Sequence, residues 1–325
     1  MTPASAAEER AEVRLTNLDE ELFDGAQATK RDLVDYLDGI RDLLLPVLTD
    51  RPLSVIRVLR GQQPFMQKNV PAYTPDFVRT VTLRSESSRR DVSYALCNDR
   101  RTLLWFANQR AVEYHPTLMR VDRWDSPDFL VLDIDPPPDG AFDLVVKAVQ
   151  LVREALASAG LAGAVKTSGA KGAHVFVPLA DGQSGADAAA ATRAIAARAE
   201  RIAPDLATTA FVKADRGGKV FLDATRAGGA TVAAAYSPRA RPGVPVSFPV
   251  GWDELAEVRP ADFTVKTAAG LLRGRDVWAD SLPRPQQLPG DLVAEGHAIP
   301  IARVAAMHEG KRRARARRDE GPAAG

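Results

Sequence analysis

Two aspartates at the end of one apolar run carry the first chemical signal in the sequence. Residues 129–135 contain five apolar residues together with Asp133 and Asp135, and three prolines follow directly. A short apolar run closed by a breaker is typical of a buried strand, and residues two apart on a strand share a face. Two adjacent ionised carboxylates repel each other unless a cation lies between them, and Mg²⁺ binds carboxylates together with substrate phosphates. The pattern indicates a divalent-metal site; a strand end that enters a polar loop is the alternative.

A third carboxylate, Asp223, ends the predicted strand at 219–223. Three acidic side chains at strand ends can hold two divalent ions about 3.5–4 Å apart, which is the arrangement used for in-line phosphoryl transfer. Lone strand-end aspartates are common, so the weight of Asp223 depends on Asp133 and Asp135. Together the three predict a pair of Mg²⁺ or Mn²⁺ ions as cofactors.

Residues 168–174 form a predicted loop with the sequence Ser-Gly-Ala-Lys-Gly-Ala-His. Glycines let backbone N–H groups face an anion, and Ser168, Lys171 and His174 add side-chain donors. The loop is not a Walker loop, because the Gly-Lys-Ser/Thr order is absent and a strand follows where a helix is required. It is a candidate phosphate-binding loop; the alternatives are a hairpin turn with an exposed lysine and, for His174, an ordinary packed histidine.

Two arginines, Arg239 and Arg241, lie on a proline-containing segment at 237–243. A stiffened segment with two guanidinium groups is suited to bidentate phosphate contacts. Two exposed surface arginines are the alternative.

The composition limits the class of protein. The chain has 325 residues, 45% hydrophobic and 26% charged, enough for one large domain or two intimate ones. A net charge of +1 provides no global field for nucleic acid, so a polyanion must be held by local patches. The single cysteine, Cys97, argues against a disulfide framework or a cysteine zinc site. With no visible signal peptide or membrane-length apolar run, we expect a soluble cytoplasmic protein.

Strands alternate with helices along the chain, which predicts an α/β or α+β fold. Periodicity and breakers predict helices over 30–49, 99–109, 142–159 and 186–203, a short helix starting near 250–255, and strands at 51–58, 78–83, 93–96, 129–135, 164–167, 174–177 and 219–223. The basic run at 311–318 is interpreted either as a disordered solvated end or as a non-specific phosphate anchor.

These motifs together resemble the primase-polymerase domain of bacterial ligase D, in the archaeo-eukaryotic primase superfamily. The similar segments are Leu-Asp-Ile-Asp-Pro at 132–136, Thr-Ser-Gly-Ala-Lys-Gly-Ala-His at 167–174, Val-Phe-Leu-Asp at 220–223 and Tyr-Ser-Pro-Arg-Ala-Arg-Pro-Gly at 236–243, with weaker ones at 17–19, 29–30, 65–68, 105–108 and 114–116. The resemblance implies a primase-like core of mixed or antiparallel sheets flanked by helices over 13–285. Residues 1–12 would be a disordered tail and 286–325 a C-terminal extension with the basic run.

The resemblance also implies a role for each matching residue. The metal carboxylates would be Asp133, Asp135 and Asp223. The nucleotide would be bound by Ser168, Lys171, His174, Arg239, His115 and Phe65. DNA would be bound by Asn17, Lys30, Lys68 and Arg241, with Asn17 and Lys30 at a downstream 5′-phosphate.

The sequence departs from the family pattern at three points. Glu20 stands where the family has a lysine of the 5′-phosphate pocket, and a carboxylate there repels phosphate. After Asp223 the family has an aromatic residue and then Gln-Asn, whereas residues 224–227 here are Ala-Thr-Arg-Ala. Ala230 stands where a lysine is expected. The chain also resembles a stand-alone relative, without ligase or nuclease domains.

The function predicted from these observations is metal-dependent, DNA-directed nucleotidyl transfer, in which a primer 3′-hydroxyl attacks the α-phosphate of a nucleoside triphosphate. The resemblance implies a ribonucleotide preference, gap filling or double-strand break end joining, and primer synthesis. The expected partners are DNA gaps or ends, nucleoside triphosphates and a DNA ligase or end-binding protein, for a monomer associated with the nucleoid.

Two rival functions remain open. A nucleotide-sugar glycosyltransferase also uses Asp-x-Asp with a divalent ion, but it needs neither the loop at 168–174 nor Asp223. A non-catalytic DNA-end-binding protein is the other rival, and the three intact aspartates argue against it.

Overall fold

Thirteen β-strands and eight α-helices make up the described part of the chain, which in this computed structural model comprises residues 8–85, 90–228 and 231–301. The strands are β1 (Glu8–Arg10), β2 (Val13–Leu15), β3 (Leu53–Arg57), β4 (Phe65–Gln67), β5 (Thr80–Ser85), β6 (Arg90–Ala95), β7 (Ala111–Pro116), β8 (Phe129–Asp135), β9 (Ala164–Thr167), β10 (Ala173–Pro178), β11 (Ala207–Thr208), β12 (Val220–Asp223) and β13 (Pro249–Val250). The helices are α1 (Lys30–Gly39), α2 (Arg41–Leu48), α3 (Arg100–Asn108), α4 (Phe142–Ser158), α5 (Gly185–Ile202), α6 (Ala268–Leu272), α7 (Val277–Ser281) and α8 (Gly290–Ala298).

A six-stranded sheet carries the candidate site. Its strand order is β11-β12-β8-β10-β9-β13, and every pair is antiparallel except β11 with β12. The Leu, Val and Ile side chains of β8 are fully buried, and both α4 and α5 pack against this strand. The apolar run at 129–135 is therefore a central strand, as its composition predicts.

A second sheet is built around β3, which pairs antiparallel with β4 and β7 and meets β6 at one end. The hairpin of β5 and β6 extends it, as the sequence predicts. Its strand β7 contacts the segment that follows β12: Ala234 N donates to Tyr114 O at 2.9 Å and Tyr114 N donates to Ser237 Oγ at 2.8 Å. These bonds bring β7 to the neighbourhood of the first sheet.

Helix starts follow local capping rules. Thr29 and Asp32 form a capping box at α1, and the side chains of Asp99 and Ser184 accept from the third residue of α3 and α5. These caps lie within one or two residues of the starts predicted from the sequence.

The N-terminal third departs from the prediction in two places. Residues 8–10 form β1 and pair with β2, so the segment 1–12 is not a disordered tail throughout; at least from Glu8 it belongs to a small sheet. The predicted helix at 30–49 is two helices, because the backbone at Ile40, with φ −106° and ψ 12°, departs from helical geometry. Ile40 thus closes α1 and opens α2.

Two further segments differ from the predicted secondary structure, and a third contains a helix that the sequence did not predict. Residues 65–67, where no strand is predicted, form the edge strand β4 by pairing with β3, a long-range contact that local sequence does not reveal. Residues 252–257 form turns rather than a helix, and the Trp252 indole is held by Gly163 O at 2.9 Å. In the predicted extension 286–325, α8 packs on α5, where a Cβ on Gly296 would lie 1.8 Å from Ala190 O.

Among the described residues, the helices are too short or too polar to cross a membrane. The basic run at 311–318 and Ala230 lie outside the described residues.

Candidate active site

Four polar residues form one row across the first sheet. In the antiparallel register, Asp133 lies opposite Asp223 on one side and opposite His174 on the other, and His174 lies opposite Lys166. Residues directly opposite each other on antiparallel strands point to the same face, so these side chains are neighbours. Asp135 is two residues further along β8 and shares that face. The row is made by strand order, and the three predicted carboxylates all belong to it or adjoin it.

The carboxylates of the row differ in their electrostatics. Burial alone would raise the pKa of Asp133, but His174, Arg226 and Lys166 together lower it. Burial, followed by the charges of Asp133 and Asp223, raises the pKa of Asp135. The site therefore has a surplus of negative charge at Asp135, the condition that a bound cation relieves.

Arg226 contacts two of the three aspartates. Its Nη2 lies 3.2 Å from Asp133 Oδ2 and its Nε lies 3.3 Å from Asp223 Oδ2. The Nε atom is buried and makes no well-aligned hydrogen bond among the described residues, so it is held by charge rather than by hydrogen-bond geometry. The other oxygen of Asp223 accepts from the backbone N and the hydroxyl of Thr225, at 2.8 and 2.6 Å. The guanidinium group lies beside Asp133 and Asp223, and Asp135 has no such direct pair in the described structure.

The donor types fit a divalent metal, because three carboxylates on neighbouring strands are hard oxygen ligands. Burial, and then the Asp133 and Asp223 charges, raise the pKa of Asp135, and a bound cation would lower it again. In the described conformation, however, no group of three or more Asp, Glu, His or Cys side chains among the described residues is arranged to hold one ion. Arg226 contacts Asp133 and Asp223, so a metal bound to those carboxylates would compete with the arginine.

The loop at 168–172 follows β9 and packs closely on β8. A Cβ on Gly172 would lie 2.2 Å from Ile134 O, and one on Gly169, whose φ is 68°, would lie 2.6 Å from the Arg239 side chain. Ser168 Oγ accepts from the backbone N of Gly172 at 3.1 Å. Glycines are required at both positions, so this tight loop is built to lie against β8 and Arg239.

Lys171 projects from the same loop and is exposed. Its Nζ donates to Pro138 O at 2.8 Å, which ties the loop to the proline turn after Asp135. A single bond to one carbonyl leaves an ammonium group with further donors for an anion.

Glu113 connects the nucleotide-binding candidates on the second sheet to this loop. Its Oε2 accepts from Arg239 Nε at 2.9 Å and lies 2.8 Å from His115 Nε2, while its Oε1 accepts from Ala240 N at 2.9 Å. Arg239 also donates to Ser168 O. Although burial opposes it, the contacts with His115 and Arg239 lower the pKa of Glu113 to about 2. Glu113 therefore holds His115 and Arg239 beside the loop as a permanent anion.

Sequence reasoning missed Glu113, Lys166 and Arg226. The signal for Glu113 was available: it is two residues before His115 on a strand, so the two share a face. The place of Lys166 in the site depends on the order of the strands, and that of Arg226 depends on the turn after β12, so local sequence reveals neither.

Of the remaining predicted residues, Arg241 adjoins this cluster, because its backbone N–H donates to Arg239 O at 2.8 Å. Phe65 is 36% exposed on β4, and the Arg57 guanidinium lies 5.9 Å from its ring centre. Lys68 and Arg241 are exposed, as is Asn17, whose φ is 54°. An exposed aromatic ring, with the exposed Lys68 three residues further along the chain, suits a nucleic-acid surface.

Lys30 is buried rather than free for a phosphate. Its Nζ donates to Thr16 O at 2.6 Å and to Asn108 Oδ1 at 2.7 Å. Burial, and then the Arg110 charge, lower its pKa to about 8. Glu20 pairs with Arg110 at 2.6 Å. The region matched to a 5′-phosphate pocket is therefore closed by its own ion pair.

Known proteins have similar sequences and a similar fold. Residues 29–278 match the family model described as LigD, primase-polymerase domain. The chain is 31% identical over 283 residues to the bifunctional non-homologous end joining protein LigD of Bacillus subtilis. It is 32% identical over 262 residues to the multifunctional non-homologous end joining DNA repair protein LigD of Mycobacterium tuberculosis. These alignments cover 85% and 77% of this chain but 45% and 34% of the relatives, so the chain spans a third to a half of their length.

The structure is also similar to a solved one, the polymerase domain from Mycobacterium tuberculosis ligase D in complex with DNA. The TM-score is 0.77 at 28% identity, covering 85% of this chain and 98% of that chain. The fold and the matching family model are those of a nucleotidyltransferase domain. The chain belongs to the LigD primase-polymerase domain family of DNA-directed nucleotidyltransferases. The fold class, the family and the enzyme class predicted from the sequence are confirmed.

Proposed function

We propose that this protein extends a DNA primer by metal-dependent nucleotidyl transfer, filling gaps or joining ends during double-strand break repair. The observation that carries the proposal is the row Asp223, Asp133 and His174 with Asp135 on the same face, flanked by the glycine loop and Arg239. Phosphoryl transfer requires acidic groups that hold metal ions next to groups that donate hydrogen bonds to phosphate, since its catalysis consists of positioning and charge neutralisation.

Asp133, Asp135 and Asp223 would hold the divalent ions, Mg²⁺ or Mn²⁺. When bound, such ions lower the pKa of an attacking hydroxyl and neutralise charge on leaving pyrophosphate. The protein itself supplies position: its sheet fixes the three carboxylates on one face, and Asp223 is oriented further by the Thr225 hydroxyl.

The nucleotide would lie between the two sheets. Lys171 extends from the loop with an exposed ammonium group, and Arg239 is oriented beside the loop by Glu113. His115 and Ser168 are held at the same junction, so all four are suited to contact phosphates or sugar. Phe65, Lys68 and Arg241 would contact the base or the DNA strands from exposed positions.

Primer extension with Mn²⁺ and with Mg²⁺ tests the proposal directly. Asp133→Ala and Asp223→Ala should abolish nucleotide addition and leave DNA binding largely intact, because each removes a metal carboxylate and none of the residues assigned to DNA. Asp143→Ala, which removes an exposed carboxylate on α4, is the matched control and should extend normally. Extension by Asp133→Ala at near the wild-type rate would overturn the proposal.

The nucleotide assignments have their own test. Lys171→Ala and Arg239→Ala should weaken nucleotide binding more than DNA binding, since each removes donors to a triphosphate. Unchanged apparent nucleotide affinity in both variants would remove them from the site.

The finer features of the proposal come from the family. They are a ribonucleotide preference, primer synthesis without a pre-existing end, and a DNA ligase or end-binding partner for a monomeric protein. Competition between ribo- and deoxyribonucleotides in the extension assay tests the first. The same assay separates polymerisation from the two rival functions, sugar transfer and non-catalytic end binding.

A further inference from the structure

A fully buried lysine stands next to the catalytic row. Lys166 has 0% relative exposure, and its Nζ makes three short contacts: 2.9 Å to Ala233 O, 2.5 Å to Ser247 Oγ and 2.6 Å to His174 Nδ1. Buried lysines are rare because an ammonium group is costly to remove from water, so each of these contacts needs a chemical reason. The reaction proposed above assigns Lys166 no part.

Counting hydrogens determines what Lys166 gives to His174. Ala233 O is a carbonyl and can only accept. Ser247 Oγ donates its single hydrogen to Thr167 O at 2.8 Å, so toward Lys166 it also accepts. These two acceptors use two N–H bonds of the lysine. A neutral amine would have none left for His174, whereas an ammonium group has a third, directed at Nδ1.

The contact on the other side of the imidazole ring favours the same tautomer of His174, with a bare Nδ1. His174 Nε2 lies 3.3 Å from Asp133 Oδ1. If Nδ1 carried the hydrogen, the lone pair of Nε2 would face a carboxylate oxygen, and two acceptors would oppose each other in a buried place. With the hydrogen on Nε2, every polar atom from Ser247 to Asp133 has a partner.

One further contact agrees with an ammonium group at this position. The Phe176 ring centre lies 5.4 Å from Lys166 Nζ, within the range of a cation–π contact. Burial and then the Arg239 charge lower the pKa of Lys166 and so act against the ammonium form, which the charge of Asp133 favours.

We propose that Lys166 is a positioning residue that fixes His174 as the Nε2–H tautomer and so keeps a hydrogen-bond donor directed at Asp133 and the cleft in front of it. The donor restrains Oδ1 of Asp133, while Oδ2 lies beside Arg226. On the proposed function, on which this step rests, the same N–H is available to a triphosphate oxygen. A tautomer with a bare Nε2 would repel both anions.

The tautomer is measured on the wild-type chain without metal or nucleotide. Long-range ¹H–¹⁵N correlation spectra at pH 7 distinguish a bare from a protonated ring nitrogen, and the sequence has four histidines, so His174→Gln identifies the relevant signals. We expect a bare Nδ1 and a protonated Nε2. A protonated Nδ1, or an imidazolium, would overturn the proposal. This result does not depend on whether the protein polymerises nucleotides.

Lys166→Met then tests the cause. It should abolish the single tautomer of His174, while Lys147→Met, at an exposed position on α4, should leave it unchanged. Retention of the pure Nε2–H form in a folded Lys166→Met protein would show that Lys166 does not set it. If Lys166→Met does not fold, the wild-type spectrum still decides the tautomer.

A double-mutant cycle separates positioning from general support of the fold. Lys166→Met should raise the nucleotide KM roughly tenfold, the scale of one lost hydrogen bond. Because Lys166 acts through His174, adding Lys166→Met to His174→Gln should change the KM little further. Fully additive effects would mean that Lys166 supports the site by another route and would overturn the positioning role.

Discussion

The Nη2 atom of Arg226 lies 3.2 Å from Oδ2 of Asp133, within the site where metal ligands are expected. The same guanidinium group pairs with Asp223, so one side chain of the protein itself neutralises two of three carboxylates. An arginine and a divalent ion cannot occupy the same position between two carboxylates, and this competition has a measurable consequence.

Arg226→Gln should bind Mn²⁺ more tightly than the wild-type protein, on the order of tenfold, because it removes a cation that the metal must displace. Titration calorimetry or the loss of the free Mn²⁺ electron paramagnetic resonance signal measures this without any turnover. Arg153→Gln is the control: it removes the same charge from an exposed pair with Asp253 and should not change Mn²⁺ affinity. Equal affinity in Arg226→Gln and wild type would show that the arginine leaves at no cost.

Asp135→Asn should stabilise the metal-free protein at pH 7 to 8 while it weakens metal binding. The pKa of Asp135 is raised in the folded state by burial and by Asp133 and Asp223. A carboxyl with a raised pKa supports the folded state at pH values below its ordinary value of 3.8, and that support is lost as the pH rises through the folded pKa. The gain in the free energy of unfolding should be on the order of 1–2 kcal/mol at neutral pH and should vanish near pH 4.

Urea unfolding with a chelator present measures that gain across the pH range. Asp143→Asn, at an exposed carboxylate, should show no comparable gain. A metal-free Asp135→Asn protein that is less stable than wild type at pH 8 would contradict the claim that the ionised Asp135 carboxylate destabilises the folded protein.

Glu113→Gln should show the opposite pH dependence. The folded-state pKa of Glu113 is lowered to about 2 from an ordinary 4.5, so its contribution is present above pH 4.5 and is lost as the pH falls toward 2. We expect a loss of roughly 2–3 kcal/mol at pH 7, because Arg239, His115 and Ala240 N lose a charged partner in a buried place. Urea unfolding at pH 7 and at pH 3 should show a smaller difference at the lower pH. Glu257→Gln, at an exposed position, is the control, and a difference that stays constant with pH would contradict the prediction.

The sequence was sufficient to predict the acidic face of the site. Alternation along a strand puts Asp133 and Asp135 on one side whatever the strand's neighbours are, and the two close glycines of the loop are visible as Gly169 and Gly172. Lys166 was not predictable in the same way, because its contact with His174 depends on β9 lying next to β10 in an exact register.

The other departures have the same physical origin. Arg226 reaches the aspartates only because the chain turns into a short 3-10 helix after β12. Lys30 matches a phosphate-gripping position in sequence, but its burial depends on Asn108, which is 78 residues away. Local pattern thus predicts which residues carry chemistry, whereas partners distant in the chain decide which of them are free to use it.

The last prediction concerns Glu20 and a downstream 5′-phosphate. The Glu20 carboxylate pairs with Arg110 at 2.6 Å, and the Lys30 ammonium group is only 2% exposed and bonded to Thr16 O. A dianionic phosphate brought here meets the Glu20 carboxylate, with which Arg110 and the exposed Arg60 already pair, and a lysine that is already bonded. We therefore expect the protein to bind gapped DNA with and without a 5′-phosphate almost equally well.

Glu20→Lys should create the preference, because it replaces repulsion by attraction and releases Arg110 from its ion pair. The expected gain is on the order of 1–3 kcal/mol, the scale of a charge-assisted hydrogen bond. The measured quantity is the ratio of the two dissociation constants, in which a general increase in DNA affinity cancels. Glu21→Lys, which adds the same charge at the next and more exposed position, should leave that ratio near one. A wild-type protein that already prefers the phosphorylated gap a hundredfold would show that the pocket is formed by other residues, since neither Lys30 nor Glu20 is arranged to provide such a preference.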